Sequence, residues 1–485
     1  MLMRWLFLVH RYLGIAVGAL MVMWCISGVV MMYVRYPALD AKVRIKKLPP
    51  IDWRGCCKIP DALLTDSSPI ESAQIEMLSG RPVLFLGAAT HTRLIDLISG
   101  AAIERVALEQ AAAVADGYTI GRRSAPPRIA VINFDQWTVA GDFDADRPLY
   151  RFALNDQVGT ELYVSSSSGQ AVQITNRRER FWNWLGSVPH WLYFAELRRR
   201  TSLWSQLVIY TSLVGCFLVG IGIYIGVRQM LAQPGGRWSP YRGFNLWHHF
   251  AGLGFGVFTL TWVLSGLLSM NPWGWLEGAS AQSERAQLRG SAPSGAQLRS
   301  ALQAFVISPH PDVVSLELAP LDGRLHFIAT TNQGDRQRFS ASGTSASLNA
   351  ADLSYVAATL GGAQPPVIPW LMKQEDSYYF RHHGETLPLP VYRIVLRDGS
   401  ETRYYVDPVT GKLIAKIDPA ARRYRWWHQG LHRMDFAAAL RGRPQWDALM
   451  LLLMSGVTFV CLTGAYLGYR RLAGTVPKPA VRSGS

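Results

Sequence analysis

Eleven histidines occur in this 485-residue chain, and four of them return at fixed intervals. His10 recurs as His248, 238 positions on, and His190 recurs as His432, 242 positions on. A neutral imidazole is a metal ligand, so two equivalent ones could grip a metal from opposite sides. The neighbours of these histidines recur with them. Tyr150–Arg228 lies without a gap on Tyr392–Arg470, so that Tyr163, Trp184, Phe194, Trp204, Gly222 and Tyr224 meet Tyr405, Trp426, Phe436, Trp446, Gly464 and Tyr466. Near the N-terminus, Gly14, Gly18, Trp24, Ser27 and Gly28 meet Gly252, Gly256, Trp262, Ser265 and Gly266. The chain is a duplicated unit of roughly half its length.

The elements that must position these side chains are apolar helices. Tyr12–Val34, Trp204–Val227, Phe250–Pro272 and Ala448–Tyr469 carry no charged residue and run 22 to 24 residues each. That is enough to cross a hydrocarbon core about 30 Å thick. The first is too long for the apolar part of a signal peptide, lacks a small-residue cleavage site and has an internal copy, so it is expected to be retained. Arg228, Arg237 and Arg242 follow the second segment, and Arg470, Arg471, Lys478 and Arg482 follow the fourth, with no acid in either place. Short basic loops stay in the cytoplasm, which puts both termini inside and the long segments outside. The expected division is a span within 1–36, an outer region 37–200, a span 201–228, an inner loop 229–247, a span 248–272, an outer region 273–445, a span 446–471 and an inner tail 472–485. Membrane anchoring and topology account for much of the net charge of +15, and no nucleic-acid partner is expected.

Cys25, Cys216 and Cys461 fall in the spans and are expected to pack, whereas Cys56 and Cys57 are adjacent and external, where disulfides form. No CxxC or C-x-x-C-H motif is present, which argues against covalent c-type haem and a zinc ribbon. Each outer region reads as a small α+β module. The first combines strands at Ala73–Leu78, Val83–Leu86 and Arg93–Ile98, a helix over Glu104–Ala115, and strands at Ala130–Thr138, Tyr150–Leu154 and Glu161–Val164. The second repeats this with Val313–Ala319, Leu325–Thr330, Arg338–Ser340, a helix over Ala350–Leu360, then Tyr392–Leu396 and Arg403–Val406. Glu277–Gly295 reads as a polar linker.

The run YRIVLRDGSETRYYVDPVTGKLI, Tyr392–Ile414, resembles a PepSY domain in its aspartate-glycine turn and its YVDP-x-TG hairpin. Joined to the helix pattern His10–Tyr33 and its copy, nearly the full length resembles the PepSY-associated transmembrane family. Within that family it is similar to the FoxB-like inner-membrane reductases of ferric siderophores. The resemblance implies a bacterial cytoplasmic-membrane protein with periplasmic PepSY-like regions. It also implies an iron chelate, a ferric siderophore or another, as periplasmic electron acceptor, and a quinol or a cytoplasmic reductase as donor. The first copy departs from the hairpin pattern, reading YVSSSSG at Tyr163–Gly169, which predicts a degenerate hairpin there.

The residues themselves point to haem. Spans one and three run in the same direction, so the halves are related by a two-fold axis along the membrane normal. Each histidine pair then faces itself across that axis, one pair near each membrane surface. A haem b macrocycle takes axial ligands from opposite sides, and bis-histidine ligation leaves no open position, which suits electron transfer. Two haem b groups are expected, held by His10 with His248 and by His190 with His432. His249 and His428 are the alternative ligands; they fall opposite Arg11 and Gly186 and have no histidine mate. Gly14, Gly18, Gly252 and Gly256 share the histidine side of their helices and would admit either a flat cofactor or a neighbouring helix. His382 and His383 are candidate substrate or metal contacts. Trp184 and Trp426 belong to an aromatic cluster that would form a membrane belt or a platform for a bulky chelate. Arg177, Arg178, Arg180, Arg422, Arg423 and Arg425 could pair with haem propionates or anchor helix ends. No Walker A, GxGxxG, HExxH or GxSxG motif is present. Two rival readings keep the architecture: a transmembrane haem reductase for another periplasmic acceptor, and a PepSY-based binding or signalling protein without redox activity.

Overall fold

A computed structural model describes residues 1–60, 70–87, 92–233, 238–308, 310–362, 368–381, 387–397 and 399–474. The chain sorts into two compact units. One joins Met1–Tyr36, Phe181–Glu277 and Ala420–Ser485; the other joins Pro37–Arg180 and Gly278–Pro419.

The first unit is built on four helices, Leu2–Met31, Thr201–Leu231, Phe244–Ser269 and Gln445–Ala473, each long and apolar enough to cross a membrane. The first and third each pack against the second and the fourth. Equivalent helices of the two copies therefore stand diagonally across a four-helix bundle. Small residues let the backbones approach: a Cβ on Gly18 would sit 3.7 Å from Ala465, and one on Gly256 would sit 3.0 Å from Ile223. Ser27 and Ser265, equivalent positions, are buried, and each returns its hydroxyl proton to a carbonyl of its own helix. Cys25 and Cys461 meet in the core with their sulfurs 3.7 Å apart, as packing residues. Short helical turns, Ser187–His190 and Leu431–Arg433, pack against the first and third helices respectively.

In the second unit the two outer regions do not fold as separate modules. A seven-stranded antiparallel sheet takes β1 (Ser72–Leu78), β2 (Arg81–Gly87), β3 (Thr92–Asp96) and β4 (Ala102–Ile103) from the first copy. Its other strands, β9 (Val313–Leu318), β10 (His326–Thr331) and β11 (Arg336–Ser340), come from the second copy. The two contributions join where β1 pairs with β9, with Ile75 opposite Leu316. These are equivalent strands, and a two-fold axis between them makes the pairing antiparallel. Ile75, Leu84, Leu316 and Phe327 share a core with Leu302 and Phe305 from the helix Gly295–Val306. Cys56 and Cys57 form a disulfide that packs on that core beside Trp53.

Two four-stranded sheets complete the unit: β5 (Arg128–Ile132), β6 (Leu149–Ala153), β7 (Glu161–Ser165) and β8 (Ala171–Thr175), and their equivalents β12 (Trp370–Met372), β13 (Val391–Val395), β14 (Arg403–Val406) and β15 (Leu413–Ile417). The registers agree, Tyr150 opposite Val164 and Tyr392 opposite Val406, and the ladder shifts at the same place, between Tyr163 and Val164 and between Tyr405 and Val406. The first-copy hairpin is therefore not degenerate. Asp407 Oδ1 accepts the N–H groups of Val409 and Thr410 at 2.8 and 2.9 Å. Ser165 Oγ accepts those of Ser167 and Ser168 at 3.2 and 3.0 Å, so a hydroxyl replaces the carboxylate in the turn.

Other expectations are revised. The segment Glu277–Gly295 contains the helix Gln282–Arg289, whose Leu288 is buried and whose Gln287 carbonyl accepts a hydrogen bond from Tyr355. The strand expected over Ala130–Thr138 ends at Ile132, because Asp135 folds the chain back by accepting from Trp137 N–H and the Thr138 hydroxyl. The helix expected from Glu104 begins at Leu108, after the short β4.

Candidate functional site

His10 lies in the third turn of the first helix and His248 in the second turn of the third, equivalent positions in the two copies. Their ring centres are 6.3 Å apart across the bundle. His190 ends the turn before the second helix, and His432 sits in the turn before the fourth; their ring centres are 6.2 Å apart. The structure thus brings together both pairs that the repeat implies.

In each pair the same ring nitrogen is tied down. His10 Nδ1 is 3.1 Å from the Leu218 carbonyl, and His190 Nδ1 is 3.1 Å from the Trp24 carbonyl and 3.2 Å from Ser27 Oγ. A carbonyl only accepts, so Nδ1 carries the proton. His432 Nδ1 is 2.9 Å from Ser265 Oγ, which spends its own proton on the Trp262 carbonyl. His248 Nδ1 is 3.1 Å from Thr463 Oγ1, which spends its own on Phe459 and Val460. Both hydroxyls must accept from Nδ1. All four imidazoles are held in one tautomer, and no hydrogen bond reaches Nε2 of any of them among the described residues. Fixing Nδ1–H on the protein leaves Nε2 as a bare lone pair, the arrangement found in metal-ligating histidines. Burial pushes the His190 imidazole down to about 4. Burial first, then the neighbouring His428, His190 and Arg433, holds His432 well below the ordinary histidine range. Both are neutral at pH 7 and keep that lone pair.

The neighbouring histidines differ in chemistry. His249 Nε2 is 2.9 Å from the Gly226 carbonyl, so Nε2 carries the proton, and Nδ1 accepts from Ser239 Oγ at 2.8 Å. It is the opposite tautomer, with no lone pair to spare. His428 lies beside His432, ring centres 5.4 Å apart, with Nδ1 2.9 Å from the Ser265 carbonyl. Burial pushes it also down to about 4. Its position is alongside His432, whereas His190 stands opposite.

Glycines seat the rings. A Cβ on Gly222 would come within 2.6 Å of the His10 ring, and one on its equivalent Gly464 within 3.0 Å of the His248 ring. Gly28 lies 3.4 Å from His190 by the same measure, and Gly266 lies 4.0 Å from His432. One turn beyond the first pair, a Cβ on Gly252 would meet nothing within 4 Å, and one on Gly14 would meet only Leu218 at 3.9 Å. Space is left beside the imidazoles where a side chain would fill it.

These residues fit a haem. Two imidazoles that held one metal from opposite sides, with metal–nitrogen distances of about 2 Å and roughly 1 Å more to each ring centre, would have their centres about 6 Å apart. Among the described residues no three His, Cys, Asp or Glu side chains converge as a bare metal ion would need. Two facing imidazoles supply two donors, which suits an iron whose other four come from a macrocycle.

Of the remaining candidates, His382 and His383 lie outside the described residues. Trp184 is exposed, whereas Trp426 is half-buried, parallel to Phe436 at 6.5 Å and under the Arg425 guanidinium. Arg425 is committed to a buried pair with Asp435 at 2.9 Å, and Arg180 to Thr175, Gly159 and Glu161. Ser27, Ser265 and Thr463 were not foreseen as supports; the recurrence of Ser27 as Ser265 was the available signal, whereas Thr463 falls opposite Ile221 and gave none. Compared with models of known protein families and with curated proteins, the chain matches none.

Proposed function

We propose that this is a di-haem b electron-transfer protein of the bacterial inner membrane that reduces ferric siderophore, or a similar iron chelate, on the periplasmic side. The observation that carries the reading is the geometry of the four histidines: two pairs, each facing at about 6 Å, each with Nδ1 bound to the protein and Nε2 bare. His10 and His248 would hold the inner haem and His190 and His432 the outer one. Bound haem of this ligation supplies reversible one-electron transfer with no open iron position. The chain's own residues set everything else. Leu218, Trp24, Ser27, Ser265 and Thr463 fix the tautomer and ring orientation. Gly222, Gly464, Gly28 and Gly266 give the rings their seats.

The substrate chemistry is consistent. Hard oxygen donors favour Fe³⁺, and one electron delivered to the chelate gives Fe²⁺, which such donors hold less tightly. The resemblance to PepSY-associated reductases supports this acceptor and the outward direction, with a quinol or a cytoplasmic reductase as donor. The test is a dithionite-reduced minus air-oxidised visible spectrum of the detergent-purified protein, with haem counted per chain. Sharp low-spin b-type bands at about two haems per chain are expected, reoxidised by added ferric chelate. A colourless protein from cells supplied with haem would overturn the reading and leave a binding or signalling protein.

A further inference from the structure

The two copies differ beside the His10–His248 pair. Between the first and second helices lies a groove of about 590 Å³, lined by Leu6, Leu213, Cys216, Phe217 and Tyr224 among others, with Gly220 in its floor. The groove is shallow and open along its outer side, where Phe217 and Tyr224 are exposed. In the second copy, the place of Gly220 is taken by Leu462 and that of Leu6 by Phe244. Phe244 lies against Tyr466 with ring centres 4.6 Å apart, whereas Tyr224, its equivalent, has no ring partner among the described residues. A Cβ on Gly220 would meet nothing within 4 Å. The duplication has put a side chain at this position once, Leu462, and left it bare once, Gly220.

Its position says what it could hold. Leu6 lies one turn before His10 on the same helix face. Leu218, whose carbonyl binds His10 Nδ1, and Gly222, on which the His10 ring rests, belong to the stretch that lines the groove. The lining is within two helices of membrane-spanning length, so an occupant must be soluble in hydrocarbon. Tyr224 adds a hydroxyl that can hydrogen-bond a polar ring substituent, next to aromatic Phe217 for stacking.

We propose that this groove binds an isoprenoid hydroquinone and is the electron entry site for the inner pair, an inference that rests on the haem reading above. Oxidation of the hydroquinone to the quinone breaks two O–H bonds and releases two protons. Its two electrons leave singly toward the His10–His248 pair and reduce two Fe³⁺ chelates to Fe²⁺.

The test uses the purified protein and an azido-substituted ubiquinone as photolabel, with the labelled peptides identified by mass spectrometry. Label is expected in 213–224 and around Leu6, and excess decylubiquinol should compete it away. Gly220→Leu, which copies the second half, should cut that labelling by about tenfold or more. It should slow decylubiquinol-driven reduction to a similar extent, with haem content and the dithionite-reduced spectrum unchanged. Tyr224→Phe leaves the groove open and serves if Gly220→Leu disturbs folding; it should raise the quinol concentration needed for half-maximal rate. Label spread evenly over the lipid-facing helices, or label and quinol-driven rate both indifferent to Gly220→Leu, would overturn the proposal. A colourless protein that still takes the label in 213–224 would sink the haem reading while leaving the quinone site standing.

Discussion

The first and second halves of the chain carry the same design with different degrees of strictness. What is identical in both is what the proposed haems would require: His10 with His248, His190 with His432, the glycines that seat the rings, and Ser27 with Ser265. What differs lies beside those residues. Gly220 faces Leu462, Gly186 faces His428, and Ser165 does in one turn what Asp407 does in the other. The difference teaches that positions shared across the axis cannot drift alone. Positions that serve one half only are free to specialise.

The comparison is broken most severely at the histidines. His10→Ala and His432→Ala should each take the protein from about two haems per chain to about one, read by haem quantification, and reduce chelate reduction to background. His248→Ala and His190→Ala, the other member of each pair, should give the same loss; loss from one member alone would show that the copies are not partners. A milder break is Gly222→Ala against Gly464→Ala. The first puts a methyl 2.6 Å from the His10 ring and the second 3.0 Å from the His248 ring, and both rings are pinned at Nδ1. Overpacking of this kind costs about 1–3 kcal/mol, so haem retention on washing should fall by roughly tenfold for Gly222→Ala and by less for Gly464→Ala.

The two hairpin turns can be compared by thermal unfolding. Asp407→Ala strips two N–H groups and leaves Arg336, 2.7 Å away, without its carboxylate, at a cost of about 2–3 kcal/mol. Ser165→Ala removes a neutral acceptor and should cost about 1 kcal/mol. The smallest contrast is between two tryptophans. Trp262 Nε1 donates to the His432 carbonyl at 3.0 Å, whereas Trp24 Nε1 is buried without a partner among the described residues. Trp262→Phe should weaken retention of the outer haem by about 1 kcal/mol, and Trp24→Phe should leave it unchanged or improve it.

How much of this could be read from the chain depended on which force decided each feature. Charge-free length declared the four helices, and the repeat declared both histidine pairs, because a two-fold axis turns an offset in sequence into a contact in space. The repeat favoured His248 over His249, whereas the opposite tautomers of the two rings were not legible, since they rest on the Gly226 carbonyl that His249 Nε2 meets. The join of β1 to β9 was equally hidden: alternation marks a strand and says nothing of its partner. The helix Gln282–Arg289 was missed because only Leu288 on it is buried, leaving no apolar stripe to find. The groove at Gly220 became visible only when the packing of the two seams could be compared.

Each histidine pair takes one member from each copy, so neither half of this chain contains a whole site. A protein with one copy would have to associate with itself to build either pair, at a rate and extent set by its concentration in the bilayer. Fusion replaces that encounter with an intramolecular one, at an effective concentration on the order of millimolar for a short tether. It also removes the obligation of sameness: in a homodimer Gly220 and Leu462 would be one residue, and the two seams would be lined alike.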